Sequence, residues 1–155
     1  MRLPAKLPVI LLLGIEGIAV GMSTRILPHN FCELLLARIK LLKREPIELF
    51  PDFPHGGLVD VSEYDDGRGR VKVRAKIEAD GPKKVVIREI PYGTTTESLI
   101  ASLENATTKG KVKIGSIQDF TTDRVEIQID LPRGATAAET IPQLYAYTDC
   151  EVSLN

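Results

Sequence analysis

A chain of 155 residues, 43% hydrophobic and 26% charged, is long enough to bury one core, with or without a small appendage, and too apolar for a disordered tail. Its 20 Lys+Arg against 21 Asp+Glu leave a net charge of −1, which excludes a histone-like polycation and confines any nucleic-acid surface to a local patch. Two cysteines, Cys32 and Cys150, and two histidines, His29 and His55, stand too far apart in the chain for a disulfide framework or a Cys/His metal cluster.

Met1-Arg2 and Lys6, ahead of the apolar run Leu7–Leu13, imitate the start of a signal peptide. Pro8, Gly14, Glu16 and Gly17 interrupt that run, and no small-x-small cleavage site follows. No uninterrupted 18-residue apolar span exists, so no transmembrane helix is expected. The stretch reads as a buried piece of a larger protein, and its glycines predict buried turns or short extended pieces through Met22. Ser23–His29 reads as a loop. Asn30 is a good N-cap with Glu33 at the capping-box position, and Phe31, Leu34, Leu35, Ile39 and Leu42 recur at helical spacing, which predicts a helix over 31–44 that Pro46 closes.

Residues 46–66 have connector composition: Pro46, Pro51, Pro54, Gly56 and Gly57, then Asp60, Glu63, Asp65 and Asp66. From Val71 the period becomes two, with Val73, Ala75 and Ile77 alternating with Lys72, Arg74 and Lys76, as in a half-buried strand. Asp80-Gly81-Pro82 is a turn, and Lys84–Ile90 is the expected hairpin partner. Thr94 with Glu97 predicts a second helix start, with Leu99, Ile100, Leu103 and Ala106 on its apolar face and Gly110 as its C′ residue. Two more strands are expected at Val112–Ile117 and Arg124–Asp130, the latter with Val125, Ile127 and Ile129 inward. Thr136 with Glu139, or Thr140 with Gln143, starts a last helix, and Cys150–Leu154 reads as a final short strand. Hairpins separated by helices define an α+β class, a largely antiparallel sheet with helices packed on one side.

No phosphate-binding glycine loop, calcium-loop spacing or nucleophilic triad is present, so no catalytic constellation or metal site is expected. Cys32 opens a helix but follows Phe31 on an apolar-rich face, so buried packing is expected rather than reactivity. Two patterns bear on nucleic acid. Arg68, Arg70, Lys72, Arg74 and Lys76 are all even-numbered, and along one extended ribbon they would share a face at intervals of roughly 6.5–7 Å. Such a row suits a phosphate backbone, while a solvated face paired with Glu126 and Asp130 across the sheet, or an acidic protein partner, suits it equally. Thr24-Arg25-Ile26-Leu27-Pro28-His29-Asn30 sets an apolar residue beside a cation just before a helix start, the arrangement of a wedge that kinks a duplex; a core role suits an apolar loop residue more often.

Gly17–Asn30 (GIAVGMSTRILPHN), preceded by Leu3–Pro8 (LPAKLP), resembles the A subunits of bacterial type IIA topoisomerases, gyrase and topoisomerase IV. Pro51–Pro54, Gly67–Ala75 (GRGRVKVRA), Ile87–Tyr92 (IREIPY) and Leu144–Ser153 (LYAYTDCEVS) follow in the family's order, so the resemblance spans nearly the whole chain; the ending and the short connector favour topoisomerase IV. It implies that residues 1–30 are the end of a breakage–reunion core with a DNA-bending loop and that 31–155 are the tower domain. Ile26 would be the intercalating residue, with Leu27 replacing the family's usual proline beside it. Thr24, Arg25, Asn30, Arg68, Arg70, Lys72 and Arg74 would touch the DNA backbone. The family's nucleophile is a tyrosine after an arginine, and none of Tyr64, Tyr92, Tyr145 and Tyr147 follows one, so the chain alone should be inactive. The implied partners are double-stranded DNA and, in an A2B2 complex, the B protein together with a further copy of the full A protein. ATP and Mg would enter through the B protein, with no cofactor in this chain, no membrane contact and a cytoplasmic location.

Overall fold

The computed structural model describes residues 5–155, so Met1-Arg2 and the start of the LPAKLP stretch lie outside the described residues. The chain forms two compact units. Of the described residues, the first comprises 5–54 and 61–71 with Asn155; the second comprises 55–60 and 72–154. The helix that follows residue 30 belongs to the first unit.

In the first unit a short helix α1 (Val9–Leu13) leads into an antiparallel hairpin of β1 (Ile15–Ala19) and β2 (Met22–Ile26). Of the expected buried turns or short extended pieces, the chain forms short extended pieces, but they are almost wholly exposed, and β2 takes up residues expected to be a loop. Helix α2 (Phe31–Lys43) follows as expected, capped by Asn30, whose Oδ1 accepts from Cys32 N at 2.9 Å and Glu33 N at 3.4 Å. Only Leu34 is fully buried on it. Cys32 is exposed, not packed, because it lies about 200° round the helix from the buried Leu34.

In the second unit β5 (Lys76–Ala79), β6 (Lys84–Glu89), β7 (Ser116–Asp119) and β8 (Ile127–Asp130) form a four-stranded sheet of order β5-β6-β8-β7, antiparallel throughout. Val85, Ile87, Ile127 and Ile129 point to one face, where they meet Leu99, Leu103 and Ala106 of α3 (Thr96–Thr108) and Leu144 of α4 (Ala137–Tyr147) in the core. Lys84, Arg88, Glu126 and Gln128 alternate onto the other face, so the helices cover one side of the sheet and the α+β class holds. The cap of α3 falls one residue later than the sequence suggests: Thr95 and Ser98 exchange bonds of 3.0 and 3.2 Å, a capping box built on serine. Gly110 ends the helix region with φ +66°, as its C′ position requires.

The single strand expected over residues 71–77 is two. β4 (Val71–Arg74) joins a three-stranded sheet between β3 (Leu58–Asp60) and β9 (Glu151–Leu154), while β5 belongs to the four-stranded sheet. The switch occurs at Ala75, whose N–H donates to Cys150 O, just before β9, at 2.7 Å. The strand expected at 112–117 begins only at Ser116, and that at 124–130 only at Ile127.

Candidate nucleic-acid interface

The hairpin is the most exposed apolar feature of the first unit. Ile15 lies opposite Ile26, Gly17 opposite Thr24 and Ala19 opposite Met22, with Val20-Gly21 as a two-residue turn; Gly21 takes φ +75°, which suits glycine. Directly opposed residues share a face, so Ile15, Ala19, Met22, Thr24 and Ile26 line one side, and Glu16, Ile18, Ser23 and Arg25 the other. Ile18 is 85% exposed and Val20 fully so at 102%, whereas Ile26 is half-buried at the root of β2. Four residues of extended chain, about 13 Å, separate Ile26 from Met22 at the far end of that strand. The expected wedge position, Ile26, therefore lies at the base of the element, and the more exposed Ile18 and Val20 lie towards its tip. A Val-Gly pair between two five-residue extended segments was the available signal; without polar–apolar alternation in IEGIA or MSTRI, it did not stand out.

The root is held rigidly. Gly14 adopts φ +72°, and a Cβ there would lie 2.8 Å from Ile26 O and 3.1 Å from Pro28 N. Leu27, Pro28 and His29 are buried. The His29 Nδ1–H donates to Leu11 O at 3.1 Å, Nε2 faces the Tyr64 hydroxyl at 3.5 Å, and Asp52 N donates to Pro28 O at 3.0 Å. Burial, with Asp66 nearby, raises the Tyr64 pKa, which keeps the hydroxyl protonated. Asn30 has its side chain committed within the unit: Oδ1 caps α2 and Nδ2 donates to Asp52 Oδ2 at 3.1 Å. Thr24 is exposed on β2, and Arg25 reaches across the hairpin to Glu16 at 2.5 Å.

The basic series does not form one extended ribbon. Arg68 closes a 3-10 turn (Asp65–Gly67) with φ −92° and ψ −20°, and the strand starts only at Val71. The turn is tight: Asp65, Asp66 and Gly67 all take positive φ, and Gly69 passes so close to Glu63 O that a Cβ would sit 1.9 Å from it. Arg68 and Arg70 belong to the first unit, and Lys72, Arg74 and Lys76 to the second. The alternation of burial does hold, since Val71, Val73 and Ala75 are buried. The acidic partners differ from those expected. Arg70 pairs with Glu63 at 2.5 Å, Arg74 with Glu151, and Lys76 with Glu89 at 3.7 Å, while Glu126 pairs with Arg88 at 2.8 Å. Hydrogen bonding to Glu63 and to Glu151 raises the pKa values of Arg70 and Arg74 further above their ordinary range. Arg68 and Lys72 make none of these ion pairs.

Among the described residues no group of His, Cys, Asp and Glu is arranged to hold a metal, and no helix is long and apolar enough to cross a membrane. The Tyr145 hydroxyl donates to Ala75 O at 2.9 Å, a structural use of that phenol. Burial pushes the Cys150 thiol up to about 11.

These observations define an α+β chain with a rigidly rooted, apolar-tipped hairpin and a partly neutralised basic strand. All of residues 1–155 match the family of DNA gyrase/topoisomerase IV A subunits. The A subunit of DNA topoisomerase 4 from Borreliella burgdorferi is 56% identical over 152 residues, 98% of this chain and 24% of that protein. The DNA gyrase A subunit of Lawsonia intracellularis is 37% identical, covering 97% of this chain and 21% of that protein. The corresponding topoisomerase 4 protein of Staphylococcus epidermidis is 31% identical, covering 100% and 22%. The chain belongs to the gyrase/topoisomerase IV A-subunit family of type IIA topoisomerases, and it spans about a quarter of the length of these relatives.

Proposed function

We propose that this chain is a DNA-contacting segment of the A protein of a type IIA topoisomerase, and that it bends the duplex that the parent enzyme opens. The parent enzyme would work as a dimer of A subunits with two B subunits, which bind ATP and Mg and drive passage of one duplex through another in the cytoplasm. This chain's part would be mechanical, since it carries no tyrosine in the family's nucleophile context. The exposed apolar hairpin tip is the observation that carries the reading. An isoleucine and a valine held fully in water on a braced two-stranded arm are costly unless they insert into something, and a base step accepts such a wedge. Ile18 would enter the stack with Val20 behind it, or Ile26 would do so from the root of the hairpin, as the family resemblance implies. Thr24 and Arg25 on the strand, with Arg68 and Lys72, supply phosphate contacts that position without reading sequence. Arg25 would exchange Glu16 for phosphate, and Arg70 and Arg74 would have to leave Glu63 and Glu151 to do the same. Asn30 contributes through the helix start it caps.

The test is end-to-end fluorescence transfer on a labelled duplex of about three helical turns, about 31 base pairs. The native chain should shorten the end-to-end distance. Ile18→Ala should bind with modest loss and leave the duplex straight, because the unstacking cost of a few kcal/mol disappears along with the contacts it permits. Ile26→Ala should retain bending where the tip is the wedge and lose it where the root is. If Ile26→Ala alone straightens the duplex, the wedge is at the root of the hairpin; if neither does, bending does not come from this arm.

A further inference from the structure

A second cationic surface lies in the second unit, away from the series that the sequence singles out. At one end of the four-stranded sheet, β6 begins at Lys84, β8 ends at Asp130 and β7 begins at Ser116, and these three residues lie side by side in the ladder. The chain just beyond each strand end stays in register. Leu131 N donates to Lys83 O at 2.8 Å, Gly115 N donates to Asp130 O at 2.8 Å, and Ala137 N donates to Pro82 O at 3.0 Å. Three loops are thereby fastened together, and each carries an exposed cation: Lys83, Lys113 and Arg133. With adjacent strands about 4.8 Å apart, the backbone row they flank spans about 10 Å, within reach of long side chains.

None of these three cations makes an ion pair in the described structure, unlike Arg70, Arg74, Lys76 and Arg88, each of which meets a glutamate. The acids at this end are Asp80 in the turn, Asp130, whose Oδ2 accepts from the Ser116 hydroxyl at 2.9 Å, Glu104 of α3 beside Ile114 and Gly115, and Glu139 in the first turn of α4. None of these four acids forms an ion pair with Lys83, Lys113 or Arg133, so the three cations on the fastened loops stay open to phosphate on a protein whose net charge is −1.

We infer that Lys83, Lys113 and Arg133 form a second phosphate-binding site for duplex DNA, distinct from the hairpin and from the β4 strand. The inference rests on the DNA-binding reading above and extends it: the site holds the backbone without reading bases, so its contribution is independent of sequence and strongly dependent on salt. A loop cluster suits this role better than Arg74 of β4, because its cations need not break an internal ion pair before meeting phosphate.

The test measures binding of the 155-residue chain to a random-sequence duplex of about 30 base pairs between 50 and 200 mM salt. The native chain is compared with a triple variant, Lys83→Gln/Lys113→Gln/Arg133→Gln, and with a control, Lys40→Gln/Lys43→Gln on α2. Far-UV circular dichroism checks that each variant is folded. Three lost phosphate contacts should make the slope of log K against log salt shallower by about 2.7, so the variant's deficit should shrink about 40-fold across that salt range. The control should keep the native slope. Native binding with an unchanged slope in the triple variant overturns this site and leaves the hairpin reading standing. An equal change in the control overturns it as well, since the charge then acts diffusely. No binding by the native chain at 50 mM salt overturns both.

Discussion

Two glycines of the same hairpin make opposite predictions when replaced by alanine. Gly14 has φ +72° and ψ +164°, a region populated almost only by glycine, so Gly14→Ala costs about 1–3 kcal/mol in backbone conformation alone. The new Cβ would also press on Ile26 O at 2.8 Å and Pro28 N at 3.1 Å; both are backbone atoms and cannot rotate away. Gly17 has an ordinary φ and nothing within 4 Å of its Cβ position, so Gly17→Ala should instead stabilise β1 by about 0.5–1 kcal/mol through lower backbone entropy in the unfolded chain. Amide hydrogen exchange reads the hairpin locally, which matters in a chain of two units whose global melt need not be two-state. Bonded amides of residues 15–26 should exchange about 5- to 160-fold faster in Gly14→Ala and about 2- to 5-fold slower in Gly17→Ala, taking 1.36 kcal/mol per factor of ten. Equal effects from the two substitutions, or none from Gly14→Ala, would refute the braced root on which the wedge reading depends.

Three further outcomes test the second unit. Tyr145→Phe removes the bond to Ala75 O at the point where the chain leaves one sheet for the other, so the urea midpoint should fall by an amount equivalent to about 0.5–1.5 kcal/mol. In thiol labelling at pH 8, exposed Cys32 should react at once and Cys150, buried and with its pKa pushed to about 11, only on unfolding; simultaneous reaction would contradict the packing of Cys150. The Glu126 carboxyl is held below its ordinary value of 4.5 by the hydrogen bond from Gln128 and by Arg88, so it adds stability above that value and loses it as pH falls through the folded pKa. Glu126→Gln should accordingly flatten the acid limb of a stability–pH profile below about pH 4.5, and an unchanged limb would remove Glu126 from that account.

The three long helices were legible because each joins a cap to a 3.6-residue apolar repeat, and their errors are one-residue shifts such as Thr95 for Thr94. In β8 alternation correctly placed Ile127 and Ile129 inward, since one sheet face is covered by helices and the other is not. The hairpin was illegible for the opposite reason. Its strands have no covered face, so no periodicity marks them, and an apolar composition that normally signals a core here accompanies exposure. Exposure of Cys32 has a related origin: helical spacing identifies an apolar face, but how much of that face is covered depends on packing that the spacing does not encode.

The basic series illustrates where a parity rule holds and where it stops. Even-numbered residues share a face only while the backbone remains extended and in one sheet. Here the extended segment begins after Arg70 and changes sheets at Ala75, so Lys72 and Arg74 alone share a β4 face. Sequence also could not supply the counter-charges: Glu63, Glu89 and Glu151 reach Arg70, Lys76 and Arg74 from segments separated by 7, 13 and 77 positions. Exposed ion pairs of this kind are worth little to stability, so a phosphate can displace them, but each displacement diminishes the gain from the new contact. Cations that start without a partner gain the whole contact. Electrostatic binding should therefore depend more on Arg68, Lys72 and the Lys83–Lys113–Arg133 loops than on the visibly periodic arginines Arg70 and Arg74.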